Sequence, residues 1–347
     1  MKPLVVIDAD VLGRRRTGDE SYVEALLREL PALADQERLA AVTRRPDLVP
    51  DGVEPVELAA RSQVLRMAWR LPRVLRRLQP ALGHFLYAIP PGFSGAAVVT
   101  VHDLSFERIP EVMSRRDRVL FRTQVRRSAR RADRVLTGSE RTKRDLIERY
   151  GLPETQIVVT PYGYDPAFRA DGPRREGRYL LFVGAIQPRK DPVAAVEALA
   201  RLNGDLRLVL VGPEKHGVQE VHDAVRRLGL EQRVELAGHV EREELAALYR
   251  GAACLVFPSR YEGFGLPVLE AMASGTPVVA VRATSVPEVA GDAAVLVEPG
   301  DPAALAHGVE QALAEHDRLA AAGLERARQF SWRETARRTL EVYRELL

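Results

Sequence analysis

Two glutamates, two adjacent cations and one histidine are the residues of this chain whose types and positions suit chemistry on a charged, hydroxyl-rich molecule. Glu262 and Glu270 stand eight residues apart in the stretch 257–277, FPSRYEGFGLPVLEAMASGTP. An apolar run at 252–257 reads as a strand that ends in a loop rich in Gly and Pro. That loop carries Glu262 and the turn Gly263-Phe264-Gly265-Leu266-Pro267, and a helix-forming run over 268–274 carries Glu270 near its start. Backbone N–H groups at a helix start attract a phosphate or a sugar hydroxyl. Ionised carboxylates only accept hydrogen bonds, so they suit hydroxyls. The alternative is a plain helix entry whose first-turn glutamate favours the helix dipole.

Arg189 and Lys190 follow a strand and a glycine turn in the second half of the chain. Arg offers a planar fork to phosphate oxygens and Lys a compact point charge. Such a pair can stabilise the charge that develops on a departing diphosphate, a task otherwise given to a metal. His102 stands in His102-Asp103-Leu104-Ser105-Phe106, after an apolar run at 96–101. Open α/β sheets place ligand-binding groups at such strand ends; an ordinary hydrogen-bonded loop histidine is the alternative. Asp8-Ala9-Asp10 after the first apolar run could hold a metal or a phosphatase nucleophile, but no later Lys or Asp pair completes either site. Gly18 lies between that strand and the first helix, which Thr17 or Asp19 could cap, without the G-x-G-x-x-G of a dinucleotide site.

The elements that position these residues alternate. Apolar runs at 4–7, 39–42, 81–87, 96–101, 134–137 and 157–160 read as strands, with helical patterns at 20–30, 64–78, 116–132 and 140–150 between them. The helix at 64–78 is expected to be interrupted near Pro72. A polar, Gly- and Pro-containing segment at 170–178 reads as a linker. Alternation then restarts, with strands at 179–183, 206–211, 234–237, 252–257, 278–281 and 294–297, and three helices close the chain. The predicted class is α/β, two doubly wound Rossmann-like halves facing across a cleft.

Composition bounds the rest. The 347 residues suffice for two domains, and 46% are apolar, which excludes disorder as the default. A single cysteine, Cys254, excludes an internal disulfide and a multi-Cys metal site. No run reaches the length of a membrane span, and Met1-Lys2-Pro3 leads directly into an apolar strand without a secretory signal, so a cytoplasmic location is expected. The net charge of +3 is uneven: residues 1–165 carry 28 Lys and Arg against 22 Asp and Glu, an excess of +6. The excess gathers at 66–78 and 115–134, where Arg alternates with apolar residues at near-helical spacing. Such helices suit solvent or an anionic lipid surface, the inner face of the plasma membrane. No nucleic acid is expected, since aromatics are not interleaved as stacking would require.

Taken together, EGFGLPVLEAMASGTPVV, TVHDLSF, RADRVLTGSERTKRDL, VVTPYGYD, LFVGAIQPRKDP, LVGP, LAGHV, SVPEVAGDAA and FSWRETARRTLEVY make nearly the whole chain resemble the family-four retaining glycosyltransferases of the two-domain GT-B fold. The wording is similar to that of bacterial mannosyltransferases of O-antigen and exopolysaccharide assembly. The resemblance implies an acceptor-side domain over 1–170, a nucleotide-sugar donor domain over 171–331, and a last helix, 332–347, crossing back to the first domain. It implies that Glu270 holds the donor ribose and that Glu262 lies by the transferred sugar. The N–H groups of Phe264, Gly265 and Leu266 would contact sugar hydroxyls and diphosphate. Arg189 and Lys190 would neutralise the diphosphate, and Gly238, His239 and Val240 would border the base. Gly18 would let backbone approach the diphosphate, and His102 would touch the sugar.

The implied reaction is metal-independent hexose transfer, with no cofactor, from a nucleoside diphosphate sugar to a glycan or lipid-linked acceptor. GDP-mannose is the expected donor and a UDP-sugar the alternative; a non-catalytic glycan- or lipid-binding module is a further one. Three positions depart from the family pattern. Ala185 stands where many relatives carry Arg, Asp191 where Asn is common, and the first loop is reduced to Arg16-Thr17-Gly18-Asp19-Glu20, whose acids suit an acceptor better than a phosphate.

Overall fold

The computed structural model describes residues 2–14, 17–60, 62–109 and 115–347. Its contacts divide the chain into two units, Met1–Gly163 with Ser331–Leu347, and Tyr164–Phe330. The polar linker places the first expected boundary at 170, and the family resemblance places the second at 331. The first contact boundary instead falls directly after the close packing of Gly163 on the returning chain, where a Cβ on Gly163 would lie 2.1 Å from the backbone nitrogen of Trp332.

The first unit is a parallel sheet of β1 (Leu4–Asp8), β2 (Arg38–Thr43), β3 (Glu54–Glu57), β4 (Leu82–Leu86), β5 (Ala96–Thr100), β6 (Arg134–Thr137) and β7 (Ile157–Val159). Their spatial order is β3-β2-β1-β4-β5-β6-β7. The order reverses between β1 and β4, which pair in parallel with Val5 opposite Leu82. Ligands of open α/β sheets bind outside the strand ends at such a reversal. The strands are apolar runs because helices cover both faces. Val6, Phe85, Val99 and Val135 share one core cluster with Leu71, Leu75, Val125 and Ala129 from two covering helices. The last helix, Trp332–Leu346, belongs to this unit and packs on the helix Thr17–Glu29.

The second unit repeats the plan with β8 (Tyr179–Val183), β9 (Arg207–Val211), β10 (Val234–Gly238), β11 (Cys254–Phe257), β12 (Val278–Val281) and β13 (Val295–Val297). The order is β10-β9-β8-β11-β12-β13, again parallel. Its core joins Leu180, Phe182, Leu208, Val256 and Val279 to Val196, Leu199 and Val309 of the covering helices. Cys254 is buried in that core, and burial pushes its thiol up to about 12.

Two local expectations need correction and one holds: the interruption expected near Pro72 is a π-helical turn, Arg66–Arg70, after which Pro72 falls in the first turn of the helix Leu71–Leu78. Proline lacks an N–H and its ring crowds the preceding turn, so a widened turn accommodates it without ending the helix. The first helix begins at Thr17, which places Asp19 inside its first turn rather than at a cap. Arg66, counted among the surface cations, is buried against Asp8 and Asp10 at the end of β1. Asp10 also accepts from Arg44 Nε at 2.7 Å and pairs with Arg14. The Asp8-Ala9-Asp10 motif is therefore an anchor for arginines. Of the first loop, Arg15 and Arg16 lie outside the described residues.

Candidate functional site

In the second unit, the loops after β8 and β11 are laced together by charge. Lys190 Nζ lies 2.5 Å from Glu262 Oε1, and both side chains are about nine-tenths buried, at 11% and 9% exposure. Arg189 Nη1 donates to the carbonyl of Tyr261 at 2.5 Å and reaches Glu262 Oε2 at 3.4 Å. The backbone joins in, with Arg260 N–H donating to the Arg189 carbonyl at 2.9 Å. The Lys190 ammonium also sits 5.3 Å from the centre of the Phe257 ring. Gly184 has φ +150°, and a Cβ there would press on the Lys190 stem at 3.4 Å. Burial pushes the Glu262 carboxyl up, but Lys190, Arg189 and the hydrogen bonds from Lys190 and Ser259 outweigh it and hold the group below its ordinary range.

The Glu262 loop is fixed from its other side by residues that sequence reasoning passed over. Thr284 Oγ1 accepts the Glu262 N–H at 2.8 Å and donates to the Glu262 carbonyl at 2.9 Å. Ser285 Oγ donates to the carbonyls of Glu262 and Phe264 at 2.9 and 3.0 Å. Thr284 does this with φ +49°, a costly conformation for a β-branched residue. Two other non-glycine residues with positive φ lie in candidate-site loops: Asp191, directly after Lys190, and Tyr87, beside His102. Asp tolerates the left-handed region, so Asp191 serves where Asn is common, and it pairs with Arg260 at 2.8 Å.

Glu270 belongs to the helix Leu266–Ala273, which starts two residues earlier than expected, with Gly265 as its N-cap at φ +107° and Pro267 in the first turn. Pro suits that position because its missing N–H has no partner in a helix anyway. The N–H of Val268 donates to the Gly265 carbonyl at 3.0 Å, and the turn of Phe264, Gly265 and Leu266 leads directly into the helix. Glu270 Oε2 accepts from the Tyr249 hydroxyl at 2.9 Å. Burial pushes the Glu270 carboxyl up to about 7; the Tyr249 bond opposes the shift and Asp165 adds to it. Glu270 therefore titrates near neutrality while Glu262 stays ionised. Gly238 ends β10 at φ +67°, with its carbonyl accepting the Gly212 N–H at 2.7 Å, and exposed His239 and half-buried Val240 follow. A cavity of about 450 Å³ opens beside the Lys190 loop, lined by Pro188, Asp191, Glu197, Gly217 and Arg260 among others. It includes neither Glu262 nor Glu270.

In the first unit, His102 lies buried at the end of β5, within a ring of aromatics. Its Nδ1 is 2.5 Å from the Tyr162 hydroxyl, and the Tyr22 ring meets it edge-on at 4.9 Å between centroids. Burial depresses the His102 imidazole, which Asp19 and Asp103 only partly offset, so the ring is neutral at pH 7. Gly18 sits exposed in the first helical turn, and a Cβ there would meet nothing within 4 Å. A second buried histidine, His84, bridges Tyr343 of the last helix at 2.5 Å and Thr100 of β5 at 2.7 Å. Among the described residues no group of three or more His, Cys, Asp or Glu could hold a metal ion.

Comparison with known proteins gives the class. The model of the glycosyl transferases group 1 matches residues 165–330, and that of Glycosyltransferase Family 4 matches 16–168. The O-antigen chain mannosyltransferase B of Escherichia coli is 32% identical over 268 residues, covering 72% of this chain and 70% of that protein. The D-inositol 3-phosphate glycosyltransferase of Kineococcus radiotolerans is 37% identical over 61% of this chain and 57% of its own length. The chain belongs to the group 1 glycosyltransferases, family four. Its fold is GT-B, shared with a sucrose-phosphate synthase from Thermosynechococcus elongatus (TM-score 0.78, 22% identity, covering 100% and 99% of the two chains). It is shared equally with the Anabaena HepE protein in complex with UDP-glucose (TM-score 0.78, 18% identity, 99% of each chain).

Proposed function

We propose that this glycosyltransferase moves mannose from GDP-mannose to a hydroxyl of a glycan or lipid-linked acceptor, with retention of anomeric configuration. The carrying observation is the lacing of Lys190 and Arg189 to Glu262 beside the helix that bears Glu270. Lys190 and Arg189 supply positive charge for a departing diphosphate from fixed positions, so that charge needs no metal. Glu270 accepts from the ribose hydroxyls. Glu262 guides the transferred sugar, with the N–H groups of Phe264, Gly265 and Leu266 on its hydroxyls and the diphosphate. Gly238, His239 and Val240 border the base, and Gly18 gives backbone access to the diphosphate. His102 touches the sugar. The departing phosphate oxygen takes the acceptor's proton on the same face, which retains configuration without a protein nucleophile.

Mannose is favoured by the likeness to the O-antigen mannosyltransferase. A UDP-sugar is the second reading, favoured by the fold neighbour that holds UDP-glucose. The work is assigned to the cytoplasmic side, on the inner face of the plasma membrane. Trp69, Val64 and Leu65 are exposed beside Arg73, whose guanidinium stacks 4.8 Å from the Trp69 ring, and Val119 and Leu120 are exposed on the second Arg-rich helix. Such mixed faces bind anionic lipid. Not all of the arginines are available for this, because Arg130 and Arg131 donate to the carbonyls of Tyr150 and Phe93. No described helix is long and apolar enough to cross a membrane.

Thermal-shift screening against GDP, UDP, ADP and their sugars tests the donor, since a ligand bound only by the folded state raises the melting temperature. GDP-mannose should give the largest shift. A larger shift with a UDP-sugar selects the second reading, and no shift with any nucleotide removes both. Transfer that fails in EDTA and returns only with a divalent ion would overturn the metal-independent phosphate chemistry.

A further inference from the structure

Glu262 is held from both neighbouring strands. β11, whose loop carries it, pairs with β8 on one side and with β12 on the other. The loop after β8 brings Lys190 and Arg189 to the carboxylate. The loop after β12 brings two hydroxyls to the backbone. Thr284 Oγ1 accepts the Glu262 N–H at 2.8 Å and donates to the Glu262 carbonyl at 2.9 Å. Ser285 Oγ donates to the same carbonyl at 2.9 Å and to that of Phe264 at 3.0 Å. Both polar backbone groups of Glu262 are thus engaged by side chains 22 and 23 residues away. With the backbone fixed, only side-chain torsions remain to place the carboxylate.

Both hydroxyl residues depart from ordinary local use. Thr284 has φ +49°, where Gly or Asn is the undemanding choice and a β-branched residue is strained. Ser285 stands at the N-cap of the helix Val286–Ala290, yet its side chain caps no N–H of that helix. A serine in that position ordinarily accepts from the second or third helical N–H. Each arrangement is unfavourable to its own segment and is accounted for by the contact with Glu262. Strain of this kind persists where surrounding contacts over-determine it, and it gathers at active sites.

We propose that Thr284 and Ser285 are positioning residues that clamp the Glu262 backbone and so aim its carboxylate at the transferred sugar, the strain at Thr284 being offset by that contact. The proposal deepens the glycosyl-transfer reading and rests on it.

Three variants of the full chain separate the hydroxyl from the strain. Thr284→Ser keeps the hydroxyl and sheds the β-branch. Thr284→Gly sheds both the hydroxyl and the strain. Thr284→Val keeps the β-branched shape without the hydroxyl. Turnover of GDP-mannose, with methyl α-mannoside as the acceptor probe, should follow the hydroxyl. Misplacing a group in the site by about 1 Å can cost about a hundredfold, so kcat should fall by about that factor in Thr284→Gly and Thr284→Val and stay within about threefold of wild type in Thr284→Ser. The KM for GDP-mannose should move less than kcat. Wild-type turnover in Thr284→Gly overturns the clamp, as does a Thr284→Ser variant equally slow or a loss that falls wholly on KM. Thr284→Gly carries the test alone if Thr284→Val fails to fold.

Carbon-13 NMR of the glutamate carboxyls in unliganded protein needs no donor. Glu262 should titrate below the ordinary carboxylate range in wild type and Thr284→Ser, where Lys190 and Arg189 hold it, and move upward in Thr284→Gly. An unmoved titration overturns the clamp. A wild type that turns over neither GDP-mannose nor UDP-glucose strikes the transfer reading instead, and the carboxyl titration still decides the clamp.

Discussion

Lys190 Nζ and Glu262 Oε1 are 2.5 Å apart, buried, and separated by 72 residues of sequence. The pair ties the loop after β8 to the loop after β11. It also fixes what each variant costs. Breaking a buried pair from one side leaves an uncompensated charge and destabilises by about 3–5 kcal/mol. Lys190→Ala should therefore lower the melting temperature as well as activity. Glu262→Ala does not leave the fold untouched, since it removes the carboxylate that Lys190 and Arg189 share. Glu262→Gln keeps the shape and should cost less stability while still cutting turnover strongly. Chemical denaturation of the three proteins, with turnover measured beside it, checks this; an Ala variant as stable as wild type contradicts the buried pair.

Glu270 carries a pH signature. Its folded pKa of about 7 lies above the ordinary 4.5, so the folded state binds this proton more tightly than the unfolded chain does. The associated stability is present below about 4.5 and is lost as pH rises through about 7. Glu270→Gln should then melt higher than wild type at pH 8, by an amount on the order of 2–3 kcal/mol, and show little gain at pH 4. A variant that is less stable than wild type at pH 8 would show that the buried carboxyl is not the source.

The sequence made the frame legible and the contacts much less so. The helix Glu140–Tyr150 was readable to the residue because its ends are marked: Ser139 caps it from its side chain, and Gly151 ends it with positive φ. The strand Glu54–Glu57 was not, because it is an edge strand in which only Val56 is buried and Pro55 interrupts the pattern. At the site, residue type pointed to Glu262, Glu270, Arg189, Lys190 and His102. The partners that hold them were hidden. Tyr249 belongs to an ordinary amphipathic helix, and Tyr162 lies 60 residues from His102. Thr284 and Ser285 adjoin a recognisable motif, so hydroxyls next to it were the available signal. Asp19 reads from the sequence as a helix cap or an acceptor-facing acid, and the structure places it in the first helical turn, 3.7 Å from His102 Nε2.

The returning helix makes the first unit depend on the end of the chain. His84 Nδ1 meets the Tyr343 hydroxyl at 2.5 Å, in a fully buried network that reaches Thr100 and Tyr22. Tyr343→Phe leaves a buried imidazole nitrogen unsatisfied and should cost about 1–3 kcal/mol. Gly163→Ala forces a methyl into the backbone at Trp332 and should cost about as much or more. Urea melts of both variants check this; unchanged midpoints would mean that the helix Trp332–Leu346 does not hold the unit.

Membrane attachment can be read separately from catalysis. Trp69→Ala with Arg73→Gln should reduce co-sedimentation with liposomes rich in anionic lipid several-fold, while donor binding stays as in wild type. Binding that ignores lipid charge contradicts the Arg-rich face.

Titration calorimetry of the full chain with GDP-mannose, at pH 6 and pH 8, against Glu270→Gln is the most direct measurement of the donor site. Ionised Glu270 is the better acceptor for two ribose hydroxyls, so wild-type binding should tighten from pH 6 to pH 8 with proton release. Glu270→Gln should bind about tenfold more weakly at pH 8 and lose that pH dependence. Equal affinity of the two proteins at pH 8 would contradict a donor site built on Glu270.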